Sequence, residues 1–268
     1  MSRVTNTDDI ARIEAALDRA EVVLADFTPG EVEARMKTGD DPLTAADLAV
    51  DRALRETLPL PGEGWLSEET VDSADRLACG RTWIVDPIDG TREFVMGIPE
   101  WCVSVALVVD GVAVAGGVLN PGAGHRIVGS IDDGVTLNGE PVTTTARSSI
   151  AGALVLASRS ETKRCEWDPF FSTPIAVRTM GSVAYKIACV AAGLADATWT
   201  LVPKNEWDVA GGAALVRAAG GSISGPLFEP VSFNNPNPLM PGFIATNGPL
   251  QAAVETLIND VRSTLPFL

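Results

Sequence analysis

The chain has 268 residues, 46% of them hydrophobic, with 20 basic and 35 acidic side chains for a net charge of −15. That length buries a large core in one domain or two closely packed halves, and the acidic balance argues against duplex nucleic acid, whose phosphates need a basic face. A single histidine, His125, excludes or strains phosphohistidine, serine-triad and three-histidine zinc chemistry, while Cys79, Cys102, Cys165 and Cys189 are too scattered for a zinc or disulfide framework.

No run of eighteen apolar residues occurs, and the first residues lack the apolar core of a signal peptide. The expectation is a cytoplasmic chain that spans no membrane. Ile10, Ile13, Leu17, Ala20 and Leu24 repeat at helical spacing behind Asp8-Asp9 and predict a first amphipathic helix. Thr44-Ala45-Ala46-Asp47 opens a second, continuing through Leu48, Leu54 and Leu58. From Trp83 the pattern changes to strands, and residues 101–109, Asp110-Gly111 and 112–119 predict a hairpin. Short strands flank Asp133-Gly134 and Asn138-Gly139. His125, after Asn120-Pro121-Gly122-Ala123-Gly124, reads as a surface loop residue.

Beyond residue 150 the elements alternate. Strands are predicted over 153–157, 196–202, near Ile223 and over 243–245, with helices over 182–192 and 208–219, the latter stopped by Gly220-Gly221. A closing helix starts near Pro249 and carries Leu250, Val254, Leu257 and Val261 on one face. Helices, then sheet, then alternating elements predict a layered α/β (α+β) sandwich. The expected organisation is a single domain over 1–268, with subdomains 1–148 (helices plus antiparallel sheet) and 149–268 (alternating α/β).

The chemistry is carried by Trp83-Ile84-Val85-Asp86-Pro87-Ile88-Asp89-Gly90-Thr91, where an apolar strand runs into two carboxylates and a flexible, hydroxyl-bearing turn. Pro87 forces a turn after Asp86, which lets both carboxylates face one small volume. Packed carboxylates repel unless a cation sits among them, and Gly90 frees its own amide and that of Thr91 to point at an anion. Taken alone, Asp-Pro-x-Asp-Gly is equally a solvated acidic turn. Two further segments add carboxylates: Gly64-Trp65-Leu66-Ser67-Glu68-Glu69-Thr70 upstream, and Asn205-Glu206-Trp207-Asp208-Val209-Ala210-Gly211-Gly212 downstream.

These signatures, in this order and across nearly the whole chain, resemble the magnesium-dependent, lithium-sensitive phosphomonoesterases that include inositol monophosphatases, fructose 1,6-bisphosphatases and nucleotide 3'-phosphatases. The resemblance implies the αβαβα fold of inositol monophosphatases and two or three Mg2+ per active site. It implies that Glu68, Asp86 and the Ile88 carbonyl hold one Mg2+ and that Asp86, Asp89 and Asp208 hold a second, with the substrate phosphate between them. Hard oxygen ligands suit that ion. On its own, Asp47 reads as a helix cap bonding back to Thr44; the family's Thr-x-x-Asp pattern makes it an active-site carboxylate, so Asp47, Glu68 and Thr91 are the expected catalytic residues. The amides of Gly90 and Thr91 are expected on the phosphoryl oxygens. Partners implied are a small phosphorylated substrate and, as often in the family, a second copy in a homodimer, with no nucleic-acid polymer and no membrane.

Substrate class is read from departures within the family. Inositol monophosphatases commonly carry a glutamate shortly after Ala-Asp-Ala, where this chain runs from Ala195-Asp196-Ala197 into Thr198-Trp199-Thr200. Thr91-Arg92-Glu93-Phe94, Ser158-Arg159-Ser160 and Gly181-Ser182 with Lys186 are instead similar to 3'(2'),5'-bisphosphate nucleotidases, which act on adenosine 3',5'-bisphosphate. The expected substrate contacts are Asp89, Gly90, Thr91, Ser158, Arg159, Gly181, Ser182, Lys186 and Asp208. Arg92, Arg159 and Lys186 each also read as solvated surface charges. Inositol 1-phosphate is the alternative, with fructose 1,6-bisphosphate and histidinol phosphate behind it, and a magnesium-dependent phosphate-binding protein is the non-enzyme alternative.

Overall fold

The computed structural model describes residues 7–36 and 42–262. Among them are eight α-helices: α1 (Thr7–Leu24), α2 (Ala45–Thr57), α3 (Thr91–Val95), α4 (Arg159–Lys163), α5 (Asp168–Phe171), α6 (Val183–Ala191), α7 (Glu206–Ala218) and α8 (Gln251–Arg262). The larger sheet has seven strands in the spatial order Gly64–Ser67, Arg81–Asp89, Cys102–Val109, Val112–Asn120, His125–Ser130, Gly134–Leu137 and Glu140–Val142. Its first pair is parallel and every later neighbour antiparallel. A second sheet runs Ala176–Met180, Leu154–Ser158, Ala197–Thr200, Phe243–Thr246, Ser222–Ser224, its first three strands mutually parallel.

The two-residue period of the strands sorts side chains into separate cores. Trp83 and Val85 pack with Ile13, Leu17, Val50 and Leu54 of α1 and α2, whereas Ile84 between them points to the opposite core with Ile187, Val209 and Ala213 of α6 and α7. In the second sheet Leu156 joins that same central core, while Val155 and Ala157 face Trp167, Leu250, Val254 and Ile258 on the outer side. The layers are therefore helix, sheet, helix, sheet, helix, the αβαβα order expected from the sequence. Sandwiched between two sheets, α6 is buried on nearly every residue, as a helix apolar all round must be.

Glycines set the spacing of α7. A Cβ on Gly211 would stand 2.5 Å from Ser104 Oγ, and one on Gly116 would stand 2.5 Å from the Gly211 carbonyl. One on Gly212 would stand 2.5 Å from Ile187 Cβ. The helix backbone thus rests directly on the sheet and on α6.

Most expected elements form within a residue or two of their predicted bounds. The hairpin turn has Asp110 at φ 48° and Gly111 at φ 82°, and Asn138-Gly139 repeats the pattern at 53° and 85°. Two expectations are corrected. Asp86-Pro87 does not turn out of the sheet: pairing with the next strand resumes at Asp89, across a register shift between Asp86 and Asp89. A bulge tolerates a proline that has no ladder donor. His125 is not a loop residue but heads a strand, half-buried, with Nδ1 2.9 Å from the Tyr185 hydroxyl. The strand Ala176–Met180 and the short helices α4 and α5 were not anticipated.

Candidate active site

A cavity of about 360 Å³ opens where three segments meet: the bulged end of Arg81–Asp89, the start of α6 and the start of α7. Glu68, Asp86, Ile88, Asp89, Gly90, Thr91, Ser158, Arg159, Gly181, Ser182, Lys186 and Asp208 all line it. The expected metal and substrate residues, drawn from segments up to 140 positions apart, thus share one wall; Asp47 stands just behind it.

Asp86, Asp89 and Asp208 are each held through one oxygen. Asp86 Oδ1 accepts from the Ile88 amide at 3.0 Å. Asp89 Oδ2 accepts from Ser182 Oγ at 2.7 Å and from the Ala184 amide at 2.5 Å. Asp208 Oδ2 accepts from the Asn205 amide at 2.9 Å, closing a capping box at the head of α7. Asp47 combines the two roles that the sequence left open: Oδ2 accepts from the Thr44 amide at 2.8 Å as a cap, and Oδ1 accepts from Thr91 Oγ at 3.2 Å. Thr91 Oγ also lies 3.0 Å from the Ile88 carbonyl, so one hydroxyl ties α2 to the bulge.

Electrostatics make this wall a site for cations. Burial, then repulsion from Glu68, Asp89, Asp208 and Asp47, pushes the Asp86 carboxyl well above its usual range. Asp208 is raised likewise by loss of water and by Asp89 and Glu68. Burial raises Asp89 too, against hydrogen bonds from Ser182 and Ala184 and the nearby charges of Lys186 and Lys204. Such a set is stabilised when a hard cation neutralises it. Among the described residues no three His, Cys, Asp or Glu side chains form a ready-made ligand cluster. The carboxylates line the cavity from three segments, and the donor set of carboxylates plus a backbone carbonyl suits Mg2+.

Basic side chains share the cavity. Lys186 is 2% exposed, donates from Nζ to the Ser182 carbonyl at 2.7 Å, and has no carboxylate within ion-pair distance among the described residues. Burial lowers its pKa, opposed by Asp89 and Glu161. Arg159 pairs with Glu100 and stands 3.6 Å from Glu93, and the Gly181 amide donates to the same Glu100 at 2.9 Å. The Ser182 hydroxyl is committed to Asp89 and to the Tyr185 amide. Arg164, Lys204 and Trp207, none of them an expected site residue, also line the cavity. Lys204 and Trp207 stand four and one residues before Asp208, beside the motif that carries it.

Glu206 is wholly buried two residues before Asp208. Its carboxylate accepts from the Asn234 amide at 2.5 Å and from the Asn235 amide and Nδ2 at 2.9 and 2.6 Å. Arg76, also buried, donates to Asn234 Oδ1 at 2.7 Å and to the Asn235 carbonyl at 2.9 Å, while holding both oxygens of Asp72 through Nε and Nη2. This network fastens the segment after Glu68 to the start of α7.

Comparison with known proteins agrees with the geometry. A sequence profile of the inositol monophosphatase family matches residues 4–263. The inositol-1-monophosphatase of Mycobacterium leprae is 35% identical over 226 residues, 78% of this chain and 77% of that one. Among solved structures, an inositol monophosphatase (IMPase) of Thermotoga maritima superposes with a TM-score of 0.79 at 26% identity, covering 96% and 97% of the two chains. CysQ from Bacteroides thetaiotaomicron, described as a bacterial member of the inositol monophosphatase family, gives 0.75 at 26% identity over 91% and 98%. With fold, signature order and carboxylate wall all in agreement with these matches, the chain belongs to the inositol monophosphatase family.

Proposed function

We propose that this chain is a Mg2+-dependent phosphomonoesterase whose substrate is a bisphosphorylated nucleoside of the adenosine 3',5'-bisphosphate type. The observation that carries the hydrolase reading is the convergence of Asp86, Asp89 and Asp208 on one cavity, each pinned through one oxygen and raised by burial, with mutual repulsion adding to the rise at Asp86 and Asp208. The family generally works with Mg2+. Glu68, Asp86, the Ile88 carbonyl, Asp89 and Asp208 are the residues that would hold it, as two or three ions. Bound there, Mg2+ supplies Lewis acidity for the phosphoryl group and a lowered pKa for water.

The chain's own residues do the rest. Thr91 Oγ, fixed between Asp47 Oδ1 and the Ile88 carbonyl, orients the attacking water, and Asp47 with Glu68 takes up its proton. The amides of Gly90 and Thr91 face the phosphoryl oxygens as charge shifts toward the leaving alkoxide. Water attacks phosphorus in line, the P–O bond to the sugar breaks, and no phosphoenzyme forms.

Support for a second phosphate comes from the cations on the same cavity, Lys186 above all: a buried ammonium with one backbone partner gains most from an anionic ligand. Trp207 adds an aromatic surface of the kind on which bases stack. A second reading, inositol 1-phosphate, is favoured by the M. leprae relative, an inositol-1-monophosphatase. Phosphate release with Mg2+ from adenosine 3',5'-bisphosphate, inositol 1-phosphate, fructose 1,6-bisphosphate and histidinol phosphate separates them. The nucleotide is expected to lead by a hundredfold in kcat/KM, about 2.7 kcal/mol of discrimination. A lead for inositol 1-phosphate would overturn the nucleotide reading and keep the metal chemistry; no turnover of any ester would leave a binding protein.

A further inference from the structure

The cavity holds a second lysine that the mechanism above does not use. Lys204 stands four residues before Asp208, in a two-residue strand paired with Leu239–Met240, and lines the cavity beside Asn205 and Asp208. Its Nζ lies 3.1 Å from Glu161 Oε1. Glu161 is only 2% exposed, on α4, and receives the Thr200 hydroxyl on Oε1 and Trp167 Nε1 on Oε2 at 3.2 Å. Trp167 is itself packed against Trp199 and Phe170, with ring centroids 5.1 and 5.2 Å away. A buried carboxylate is stabilised by a paired cation, so Glu161 fixes where the Lys204 ammonium sits.

Two consequences follow from that bracing. An ammonium has three donors; Glu161 takes one, and the others remain for a ligand in the cavity. A lysine already immobilised loses little side-chain freedom when it binds. The charge of Lys204 also reaches the carboxylate wall, where it works against the raised pKa of both Asp89 and Asp208. Lys204 and the metal-site residues therefore act on one small volume. Arg159 and Arg164 line the same cavity but are more exposed, at 41% and 50%, and are paired with Glu100 and Glu166.

Resting on the bisphosphate reading, the geometry points to Lys204, braced by Glu161, as a specificity-determining residue that selects substrates carrying a second phosphoryl group beyond the one cleaved. With Lys186 it forms a two-lysine subsite for that group, while the scissile phosphate lies at the carboxylate wall.

The experiment compares adenosine 3',5'-bisphosphate with adenosine 3'-monophosphate, the same scissile ester without the second phosphate, in wild type, Lys204→Met and Glu161→Gln. Wild type is expected to prefer the bisphosphate at least tenfold in kcat/KM. Lys204→Met should erase most of that preference, with kcat/KM for the bisphosphate falling at least tenfold further than kcat/KM for the monophosphate and the extra loss appearing in KM. Glu161→Gln, which keeps the lysine but loosens it, should erase part. A direct readout without catalysis is binding of adenosine 5'-monophosphate in EDTA, expected to weaken several-fold in Lys204→Met. Wild type with no preference would overturn the bisphosphate reading and this assignment together. A wild-type preference retained in a folded Lys204→Met protein would overturn the assignment of Lys204 alone.

Discussion

Ser182 holds its hydroxyl 2.7 Å from Asp89 Oδ2 while its own backbone sits at φ 54°. That left-handed conformation disfavours any residue with a Cβ, so the structure keeps a strained serine where glycine would be relaxed. Its hydroxyl also caps α6 through the Tyr185 amide and touches Cys102 Sγ at 3.4 Å. Ser182 is thus a positioning residue for Asp89. Replacing it separates strain from chemistry: Ser182→Gly should be more stable than Ser182→Ala by about 1 kcal/mol. Both should weaken Mg2+ activation similarly. Melting curves alongside Mg2+ titrations of turnover test this, and a glycine variant with normal Mg2+ response would assign the hydroxyl to capping alone.

Asp89→Asn removes one buried charge from a self-repelling set while its carbonyl oxygen still accepts from Ser182 and Ala184. The variant is expected to match or exceed wild-type Tm in EDTA, to lose the stabilisation that saturating Mg2+ gives wild type, and to lose turnover. That stabilisation is about 2.7 kcal/mol at a hundred times Kd. Calorimetric Mg2+ binding with and without the substitution decides it; full turnover in Asp89→Asn would remove this residue from the metal set.

Arg76 and Glu206 do not meet, yet both grip Asn234 and Asn235. Cutting the grip should displace Glu68 and Asp208 relative to each other. Arg76→Ala is expected to cost about 2–4 kcal/mol as buried partners go unpaired, and to raise the Mg2+ concentration for half-maximal activity. Arg76→Lys, which cannot reproduce the two-pronged geometry, should recover stability only partly. A KM for Mg2+ unchanged in a folded variant would confine the network to stability.

Far from the cavity, Glu63 gathers Arg12, Arg81 Nε, Trp83 Nε1 and the Leu60 amide. Burial raises its carboxyl, but the donors, led by Arg12, more than reverse this and hold it at about 2, against an ordinary 4.5. A depressed carboxylate stabilises the fold above its unfolded pKa, and that stability is lost as pH falls from about 4.5 toward 2. Glu63→Gln should therefore cost about 2 kcal/mol at neutral pH, after allowance for solvent screening, and should flatten the acid limb of stability over that window. Urea melts from pH 3 to 7 measure both effects.

The parts of the fold legible in the sequence are those where one local rule dominates. Asp110-Gly111 and Asn138-Gly139 announce turns because few other residues accept positive φ, and Asp208 marks a helix start, though two residues inside it: Asn205 is the cap and Asp208 reaches back to its amide. What stayed hidden depends on partners distant in the chain. Glu161, for which no local pattern signals burial, is buried because Thr200 and Trp167 turn inward to meet it. Arg76 is internal because a loop some 158 positions later supplies acceptors beside those of nearby Asp72. The strand Ala176–Met180 escaped because it lies at a sheet edge, with exposed positions alternating along it.

The direct seating of α7 on the sheet gives the Trp-Asp-x-Ala-Gly signature a second meaning. Gly211 stands three residues beyond Asp208, one helical turn along, where its missing side chain lets the helix backbone meet Ser104 and Val105. A methyl there would lift the helix off its seat, and the carboxylate one turn away would ride outward with it. The motif therefore encodes a length as well as a ligand: the gap between Asp208 and the Asp86–Asp89 bulge is gauged by a side chain absent one turn further along the same helix face.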